Sequence, residues 1–493
     1  MYLSDKEWQA GKDNFQDAVA VTRRQFLSGA VGAPAAAAAM YFGYGQLQGE
    51  PVRVGIIGTG DQANNAHIPQ SNPEYIKFVA YSDIRPSSQK RAQRTFHDVY
   101  GAAASEIKLY PDYRDLLADP NVEMVIVVLP LHLHAQVTID ALRAGKHVLC
   151  EKLMAKTVME CKQMIREADK AKLLLAVGHQ RHYSYLYQNC LALINREGKD
   201  VLGDINHIRA YWHRNQTNAG QPGAEKGLFD GWSPSIPYSD RSIDYKSYGY
   251  DSLEELIRWR LFKSTGGGLI VELGSHQLDA CSIFLGKVHP VAVQGVGTKA
   301  FFTDGREVDD HIYLTYEFPD DVVVTYSSIC TNAFDGYGEQ VMGTKGTLIV
   351  QQEANAHVFK EGQAKDTRIK WAEGRVDRPA VAAGSTKAWG VGVGKAETLT
   401  SRGYREEQEH MAWLIRNPDK IDWPDPSNPE KEIDLRYFPR CHGRVALADA
   451  VIALSSNLAM KHQQRIPFKH EWFDVSSNDT PEALFDKGAV VGA

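Results

Sequence analysis

Residues 52–63, VRVGIIGTGDQA, form an apolar run of strand type that ends in three small residues spaced as G-x-G-x-x-A. Gly58 permits a tight turn, Gly60 removes the Cβ atom that would block a pyrophosphate, and the small Ala63 lets a helix pack closely on the strand. The N-terminus of that helix would stabilise phosphate charge. The pattern therefore predicts a dinucleotide-binding turn. Its expected cofactor contacts are Gly58, Thr59, Gly60, Asp61, Gln62 and Ala63.

The next strand supports this prediction. It reads KFVAYSDI and carries Asp83, 20 residues after Ala63. A carboxylate at that distance is placed to accept hydrogen bonds from the ribose hydroxyls of NAD, whereas Arg85 could pair with the 2′-phosphate of NADP. The sequence thus favours NAD and leaves NADP open. The plainer alternative is a glycine-rich turn that binds nothing.

Strand and helix patterns then alternate up to about residue 180. VEMVIVVLP at 122–130 and HVLCEK at 147–152 are apolar strands, and residues 134–144 and 159–171 have helical spacing. LLLAVGHQRHY at 173–183 supplies a further strand. Nearly continuous apolar strands are typical of a parallel sheet that is covered on both faces. Residues 50–180 are therefore predicted to form a doubly wound α/β domain of the Rossmann type, with ligands at the carboxyl ends of its strands.

The pattern changes after residue 180. Strands with period-two alternation include residues 203–215, 291–302, 311–318 and 322–329, and GTLIVQQ at 346–352. We expect residues 181–493 to form an α+β domain with a large, mainly antiparallel open sheet. A broad sheet with one uncovered face often packs against a second subunit, so a homo-oligomer is expected.

Two long segments of this half have little periodicity. Residues 214–258 are rich in Gly, Pro, Ser, Asp and Tyr, and a loop of that length is usually functional or disordered. We expect it to cover a substrate pocket. The candidate substrate contacts are Arg181, Tyr183, Trp212, His213 and Arg214, each of which also has a purely structural interpretation. The second segment, residues 353–403, has no assignable chemistry.

Glu272 and His276 are four residues apart on a predicted helix that opens after three glycines, so they project from one face. An ionisable pair on an otherwise apolar helix needs a reason, because unpaired buried charge is costly. From the residues alone, a pair that braces two domains and a pair that does chemistry are equally good interpretations.

AGKHVLCEKLMA at 144–155 resembles the signature of the Gfo/Idh/MocA oxidoreductases, AGKHV followed by EKP, with Leu153 where the family has proline. The resemblance continues in VVLPLHLH at 127–134, GHQRHY at 178–183 and GGGLIVELGSHQLDA at 266–280. It implies that Lys152 and His276 are catalytic, assisted by Glu272 where the family usually has Asp. The further cofactor contacts that it implies are Pro130, His134, Glu151 and Lys152.

The resemblance also implies an activity. It implies NAD(P)-dependent hydride transfer to or from a sugar, polyol or glycoside, with His276 moving the hydroxyl proton and Lys152 binding the same oxygen. The first alternative is an NAD-dependent glycoside hydrolase, which uses the same Lys and His for transient oxidation and elimination. The second is an NAD-binding protein without catalysis.

Residues 25–49 contain no charged side chain and follow the pair Arg23 and Arg24. The stretch is rich in Ala and Gly and interrupted by Pro34, so it is a poor permanent membrane span. TRRQFLSGA resembles a twin-arginine export signal. Residues 1–49 are therefore predicted to be signal and linker, cleaved near Ala39 or retained as a tether. The protein would engage the twin-arginine export machinery, reach the periplasm, and carry a tightly bound NAD.

Composition excludes other classes. The chain has 493 residues, 55 Lys plus Arg, 61 Asp plus Glu and a net charge of -6, which offers no general attraction for nucleic acid. Its six cysteines contain no C-x-x-C pair, so neither a zinc knuckle nor a disulfide framework is predicted from spacing. No metal is expected at the site, since the inferred hydride chemistry requires none.

Overall fold

The computed structural model describes residues 6, 8–15, 41–195, 201–217, 230–361, 402–425, 427–428 and 431–486. The motif TRRQFLSGA of the predicted export signal and the cleavage point near Ala39 lie outside these residues. So does most of the irregular segment 353–403.

A six-stranded parallel sheet forms the first half of the fold. Its spatial order is β3-β2-β1-β4-β5-β6, which is the doubly wound Rossmann order with its switch point between β1 and β4. This confirms the predicted fold class. The strands are β1 Val52–Ile57, β2 Ile76–Ser82, β3 Lys108–Tyr110, β4 Met124–Val127, β5 His147–Cys150 and β6 Leu175–Val177.

Alternate side chains of these strands enter two separate cores. Ile56 and Ile126 face a core that includes Phe96, whereas Ile57 and Val127 face one on the other side of the sheet. Burial on both faces explains why the strands read as continuous apolar runs. The helices of this half are α1 Pro86–Tyr100, α2 Tyr113–Ala118, α3 His134–Arg143 and α4 Val158–Ala171.

The second sheet has eight strands in the order β13-β12-β11-β7-β10-β9-β8-β14. Its neighbouring strands are antiparallel except β7 and β10, which run parallel. This confirms the predicted, mainly antiparallel sheet. The strands are β7 Ile205–His213, β8 Ala292–Thr298, β9 His311–Glu317, β10 Val323–Ile329, β11 Tyr337–Gly343, β12 Gly346–Gln351, β13 Asn355–Lys360 and β14 Ile466–Pro467.

Helices cover one face of this sheet. The remaining α-helices are α5 Tyr185–Asn195, α6 Leu253–Ile257, α7 Ser275–Phe284, α8 Tyr404–Arg416, α9 Gly443–His462, α10 His470–Phe473 and α11 Ala483–Asp486. The π-helical turns are Ala63–His67 and Ile270–Gly274. The 3-10 turns are Gly101–Glu106, Leu131–Leu133, Gln180–Tyr183, Tyr238–Asp240, Tyr245–Tyr248, Trp259–Leu261, Pro319–Asp321 and Pro418–Lys420.

Helix α9 is long and apolar enough to cross a membrane, and it is the one such helix among the described residues. Two thirds of its apolar stretch is buried inside the protein, where α9 packs on α4, α7 and β8. We therefore regard it as a core helix that joins the two halves of the fold.

Chain segments pack across both predicted domain boundaries. Within the predicted linker, Phe42 and Tyr44 are buried in the core on one face of the Rossmann sheet. Tyr44 donates a hydrogen bond to Glu409 of α8. Helix α8 itself contacts β1 and β2, although it lies far beyond residue 180. Each domain is thus completed by chain from outside its predicted range.

Candidate active site

The glycine-rich turn leaves β1 at the switch point of the parallel sheet. Gly58 has φ +91°, and a Cβ atom there would lie 2.1 Å from the carbonyl oxygen of Val128, so the position requires glycine. A Cβ atom on Gly60 would meet nothing within 4 Å. The space in front of Gly60 is therefore open for the backbone to approach a pyrophosphate, which is the fit that a dinucleotide requires.

The residues around these glycines have distinct environments. Ala63 is fully buried against the sheet. Gln62 donates a hydrogen bond to Glu151 at 3.0 Å. The exposed Asp61 pairs with Arg91 of α1.

Asp83 lies at the end of β2, beside the turn. Its Oδ2 accepts hydrogen bonds from the backbone and hydroxyl of Thr59 at 2.7 and 3.0 Å, and its Oδ1 accepts one from the backbone N–H of Arg85. Burial raises the pKa of Asp83, against these hydrogen bonds. The carboxylate is thus held at the edge where a ribose hydroxyl would be recognised.

Arg85 is paired with a carboxylate from the long loop. Its Nε donates to Asp240 Oδ2 at 3.0 Å, and Ser87 donates to the same carboxylate from its backbone and its hydroxyl. The Asp240 side chain is fully buried. A 2′-phosphate would have to compete with Asp240 for this guanidinium.

Glu151 ends β5 and is held by the turn. His67 Nε2 lies 2.8 Å from Glu151 Oε1, and Gln408 Nε2 lies 3.3 Å from His67 Nδ1. Although burial acts in the opposite direction, the hydrogen bonds from His67 and Gln62 and the charge of Lys152 lower the pKa of Glu151. Glu151 therefore supplies a fixed negative charge next to Lys152.

Lys152 is placed between the two domains. Its Nζ donates a 2.7 Å hydrogen bond to the backbone carbonyl oxygen of Glu272, and its backbone N–H donates to Glu151. Burial lowers the pKa of Lys152, opposed by the charges of Glu272 and Glu151. The peptide bond from Lys152 to Leu153 is cis.

Glu272 lies in the π-helical turn Ile270–Gly274 that leads into α7. This turn departs from the α-helical hydrogen-bond ladder, a feature common at functional sites. Arg260 Nε donates to Glu272 Oε2 at 3.1 Å. The other oxygen, Oε1, is buried and has no hydrogen-bond partner among the described residues. It is therefore available to a substrate hydroxyl.

His276 follows one turn later and is 3% exposed. Its ring centroid lies 5.9 Å from that of Trp212 and 6.5 Å from that of His179. Within the described part of the chain its Nδ1 has no hydrogen-bond partner. Burial and then the charge of Lys152 hold the pKa of His276 well below 6.5. His276 is therefore neutral at neutral pH and able to accept a proton.

His134 holds the loop that carries Lys152. Its Nδ1 lies 2.8 Å from the carbonyl oxygen of Leu153 and its Nε2 lies 2.8 Å from that of Leu129, next to Pro130. Although burial opposes the charged form, the Cys150 side chain and these two carbonyls raise the pKa of His134 to about 9. Both ring nitrogens are occupied, so we correct the expected cofactor contact to a positioning role.

Arg181 does not reach a substrate pocket. It is fully buried and pairs with Glu339 and Glu353, each at 2.8 Å. It also donates to the backbone carbonyl oxygen of His276 at 2.6 Å. We correct its predicted role from substrate contact to support of the helix that carries His276.

Tyr183 and Arg214 are held by partners within the protein. The Tyr183 hydroxyl lies 2.8 Å from His410 Nδ1 and accepts from the backbone of Arg440, and its buried ring packs near Phe42. This corrects the predicted substrate contact of Tyr183. The Arg214 guanidinium lies over the ring of Trp232, 4.5 Å from its centroid.

Trp212 and His213 point to opposite faces of β7, because successive side chains of a strand alternate. Trp212 faces His276 and stacks on Tyr337, with ring centroids 4.4 Å apart. His213 bonds to Ser327 Oγ on the other face. Trp212 remains a candidate substrate contact, and the prediction for His213 is corrected.

Sequence reasoning missed several residues of the site. His67, Gln408 and Arg260 orient Glu151 and Glu272, and Asp240 neutralises Arg85. Gln408, Arg260 and Asp240 gave no signal in the sequence, since distant segments bring them to the site. His67 follows the glycine turn by only a few residues, and that short separation was the one available indication.

Comparisons with known proteins agree with this fold. Residues 52–179 match the profile "Oxidoreductase family, NAD-binding Rossmann fold", and residues 241–377 match "Oxidoreductase family, C-terminal alpha/beta domain". Both belong to the Gfo/Idh/MocA group, and together they span more than half of the chain.

Individual proteins are also similar. The scyllo-inositol 2-dehydrogenase (NADP(+)) of Bacillus subtilis is 24% identical over 305 residues, which are 62% of this chain and 70% of that protein. The crystal structure of aldose-aldose oxidoreductase from Caulobacter crescentus complexed with glycerol has a TM-score of 0.56 and 19% identity, covering 85% of this chain and all of that one. This second likeness concerns the fold.

Proposed function

Because the chain belongs to the Gfo/Idh/MocA family of oxidoreductases, we propose that it transfers hydride between a tightly bound NAD and a hydroxyl-bearing carbon of a sugar, polyol or glycoside. The observation that carries the proposal is the hydrogen bond from Lys152 Nζ to the backbone of Glu272, one turn before His276, next to the Glu151 that Gln62 of the glycine turn contacts. The bound nicotinamide would supply the hydride acceptor and donor.

Each of these residues has a proposed task during oxidation. The neutral His276 accepts the hydroxyl proton, a role worth about 10² to 10⁴ in rate. The Lys152 ammonium group hydrogen-bonds the same oxygen and stabilises its developing negative charge. The unpartnered Oε1 of Glu272 accepts a hydrogen bond from a neighbouring hydroxyl and so orients the substrate.

We propose that the enzyme works after export, because residues 22–30, TRRQFLSGA, resemble a twin-arginine signal. Free NAD is not expected outside the cytoplasm, so a retained cofactor would be reduced by one substrate and reoxidised by another. The name of the similar aldose-aldose oxidoreductase describes that kind of paired reaction. NAD is preferred in the proposal because Asp240 already pairs with Arg85.

A homo-oligomer is part of the proposal. The face of the second sheet that lies opposite the helices carries exposed apolar side chains, including Val296 and Tyr313, 48% and 46% exposed. Such a face often packs against a second subunit. Sedimentation of the purified protein would measure the mass, and a monomer would remove this part of the proposal.

The activity is tested with the purified, folded protein and a panel of sugars, polyols and aryl glycosides. We expect nicotinamide absorbance to rise with at least one sugar or polyol and to fall again when a second carbonyl substrate is added. Release of free sugar from a glycoside without an added acceptor would instead favour the hydrolase. No redox change and no cleavage, with dinucleotide bound, would favour a protein without catalysis.

A further inference from the structure

Five chemically reactive side chains meet in the interior behind His276. His179 and His182 follow β6 of the Rossmann sheet, Asp279 lies on α7, Asp449 lies on α9, and Cys441 lies just before α9. All five are buried, with exposed fractions between 0 and 3%. None of them has a task in the proposed hydride transfer.

Their donor atoms are close together. His179 Nδ1 lies 3.9 Å from Asp279 Oδ2, and His179 Nε2 lies 3.7 Å from Asp449 Oδ2. His182 Nε2 lies 2.6 Å from Asp279 Oδ1. Two sets of three residues each offer donor atoms that lie within 4.8 Å of one another. The first set is His179, Asp279 and Asp449, and the second is His182, Cys441 and Asp449. The two sets overlap at Asp449.

Several of these atoms lack partners. Among the described residues, both ring nitrogens of His179, Oδ2 of Asp279 and Oδ2 of Asp449 are buried without a hydrogen bond. A buried polar atom left in this way has lost its hydrogen bonds to water without a replacement, which destabilises the fold. The two ring nitrogens of His179 point away from each other, but one of them and the carboxylate oxygens of Asp279 and Asp449 lie close enough to share one partner.

From this geometry we propose that the cluster binds one zinc ion, with Asp449 as the ligand common to both sets. Three donors that lie at most 4.8 Å apart lie within about 2.8 Å of a common centre, and small side-chain movements bring them to about 2.1 Å, the usual zinc-to-ligand distance for nitrogen and oxygen. Imidazole, carboxylate and thiolate donors together suit zinc, whereas magnesium and calcium prefer oxygen alone.

The local charges fit a divalent ion. Two carboxylates and a Cys441 thiolate would carry three negative charges, and Lys287 interacts electrostatically with all three groups. Zinc and Lys287 together balance them. A buried cluster of this kind is neutral only when such an ion is bound or the acids are protonated.

The site would hold the two domains together. Its ligands come from the end of the Rossmann sheet and from two helices of the second domain. His179 also lies beside His276, so an ion bound to His179 would hold its ring in place next to that of His276. Spacing along the sequence could not predict the site, because its ligands span residues 179–449.

The test measures the metal directly and does not depend on activity. The full-length protein is purified without a metal-affinity column, and its zinc content is measured by inductively coupled plasma mass spectrometry. We expect about one zinc per chain in the wild type. We expect that zinc to be lost in Asp449→Asn and Cys441→Ser, and kept in Cys190→Ser, a buried cysteine outside the cluster.

A second measurement covers variants that do not fold. Wild-type protein is stripped with a chelator and titrated with Co²⁺, and a thiolate-to-cobalt charge-transfer band is expected, which Cys441→Ser abolishes. Wild-type protein with neither zinc nor this band on cobalt addition would overturn the proposal. Zinc retained in folded Asp449→Asn would also overturn it, because the ion would then lie elsewhere.

Discussion

At the residue scale, the site depends on how burial and neighbouring charges set protonation. The same buried pocket keeps His276 neutral and lowers the pKa of Lys152 without removing its hydrogen bond to Glu272. A neutral base and a hydrogen-bond donor are therefore available together at neutral pH. That combination suits oxidation of a hydroxyl group.

Replacing His276 tests its role as the base. We expect His276→Ala to lower kcat for oxidation about 10² to 10⁴-fold while the Kd for the dinucleotide changes little. His213→Ala is the matched control, because His213 lies on the opposite face of β7. Steady-state kinetics and cofactor titration measure both. Equal losses in the two variants would contradict the assignment.

The pH profile tests both pKa shifts. His276 acts only when neutral, and its pKa lies well below 6.5, so kcat/KM for oxidation should stay level down to pH 6.5 and decline only below it. Lys152 acts only when protonated, and its lowered pKa predicts an alkaline decline that begins below pH 10.5. An acidic decline centred above pH 6.5 would show that a different group is the base.

At the scale of elements, the apolar runs predicted strands β1, β2, β4 and β5 closely, and period-two alternation predicted β7 to β10. Burial on both faces of a sheet produces continuous apolar runs, and burial on one face produces period-two alternation. The parallel pairing of β7 with β10 produces no such sequence pattern, because tertiary packing sets the register between distant strands. The corrected roles of Arg181 and His213 have the same cause.

The glycine turn gives a paired prediction. Gly60→Val should fold with an unchanged Tm but lose dinucleotide affinity, because its side chain enters the open space beside the turn. Gly58→Ala should instead lose stability, about 1 to 3 kcal/mol, because of its positive φ and its contact with Val128. Thermal unfolding and cofactor titration separate the two. Normal cofactor binding by Gly60→Val would place the pyrophosphate elsewhere.

At the scale of the whole molecule, the two domains are joined through buried polar contacts as well as apolar ones. Arg181, in the turn that follows β6, pairs with Glu339 of β11 and with Glu353 of the turn between β12 and β13. Helix α8 returns from the second half to cover the first sheet. The catalytic groups Lys152 and His276 come from different domains, so this junction sets their distance.

Arg181→Met tests the junction. It would leave the buried Glu339 without its cation, whereas Glu353 would keep its pair with Arg402, and we expect a loss of about 3 to 5 kcal/mol in the free energy of unfolding. Arg209→Met is the control, since the partly exposed pair of Arg209 with Asp335 should contribute about 1 kcal/mol or less. Urea denaturation measures both. Similar midpoints for the two variants would contradict a structural role for Arg181.

The most direct test of the central claim is the identity of what the folded protein carries. The full-length protein is purified, unfolded to release any bound dinucleotide, and the released compound is identified by mass spectrometry. We predict NAD at a ratio approaching one per chain, retained through gel filtration. Protein that carries no NAD or NADP and binds neither when they are added would contradict the assignment of an NAD-dependent oxidoreductase.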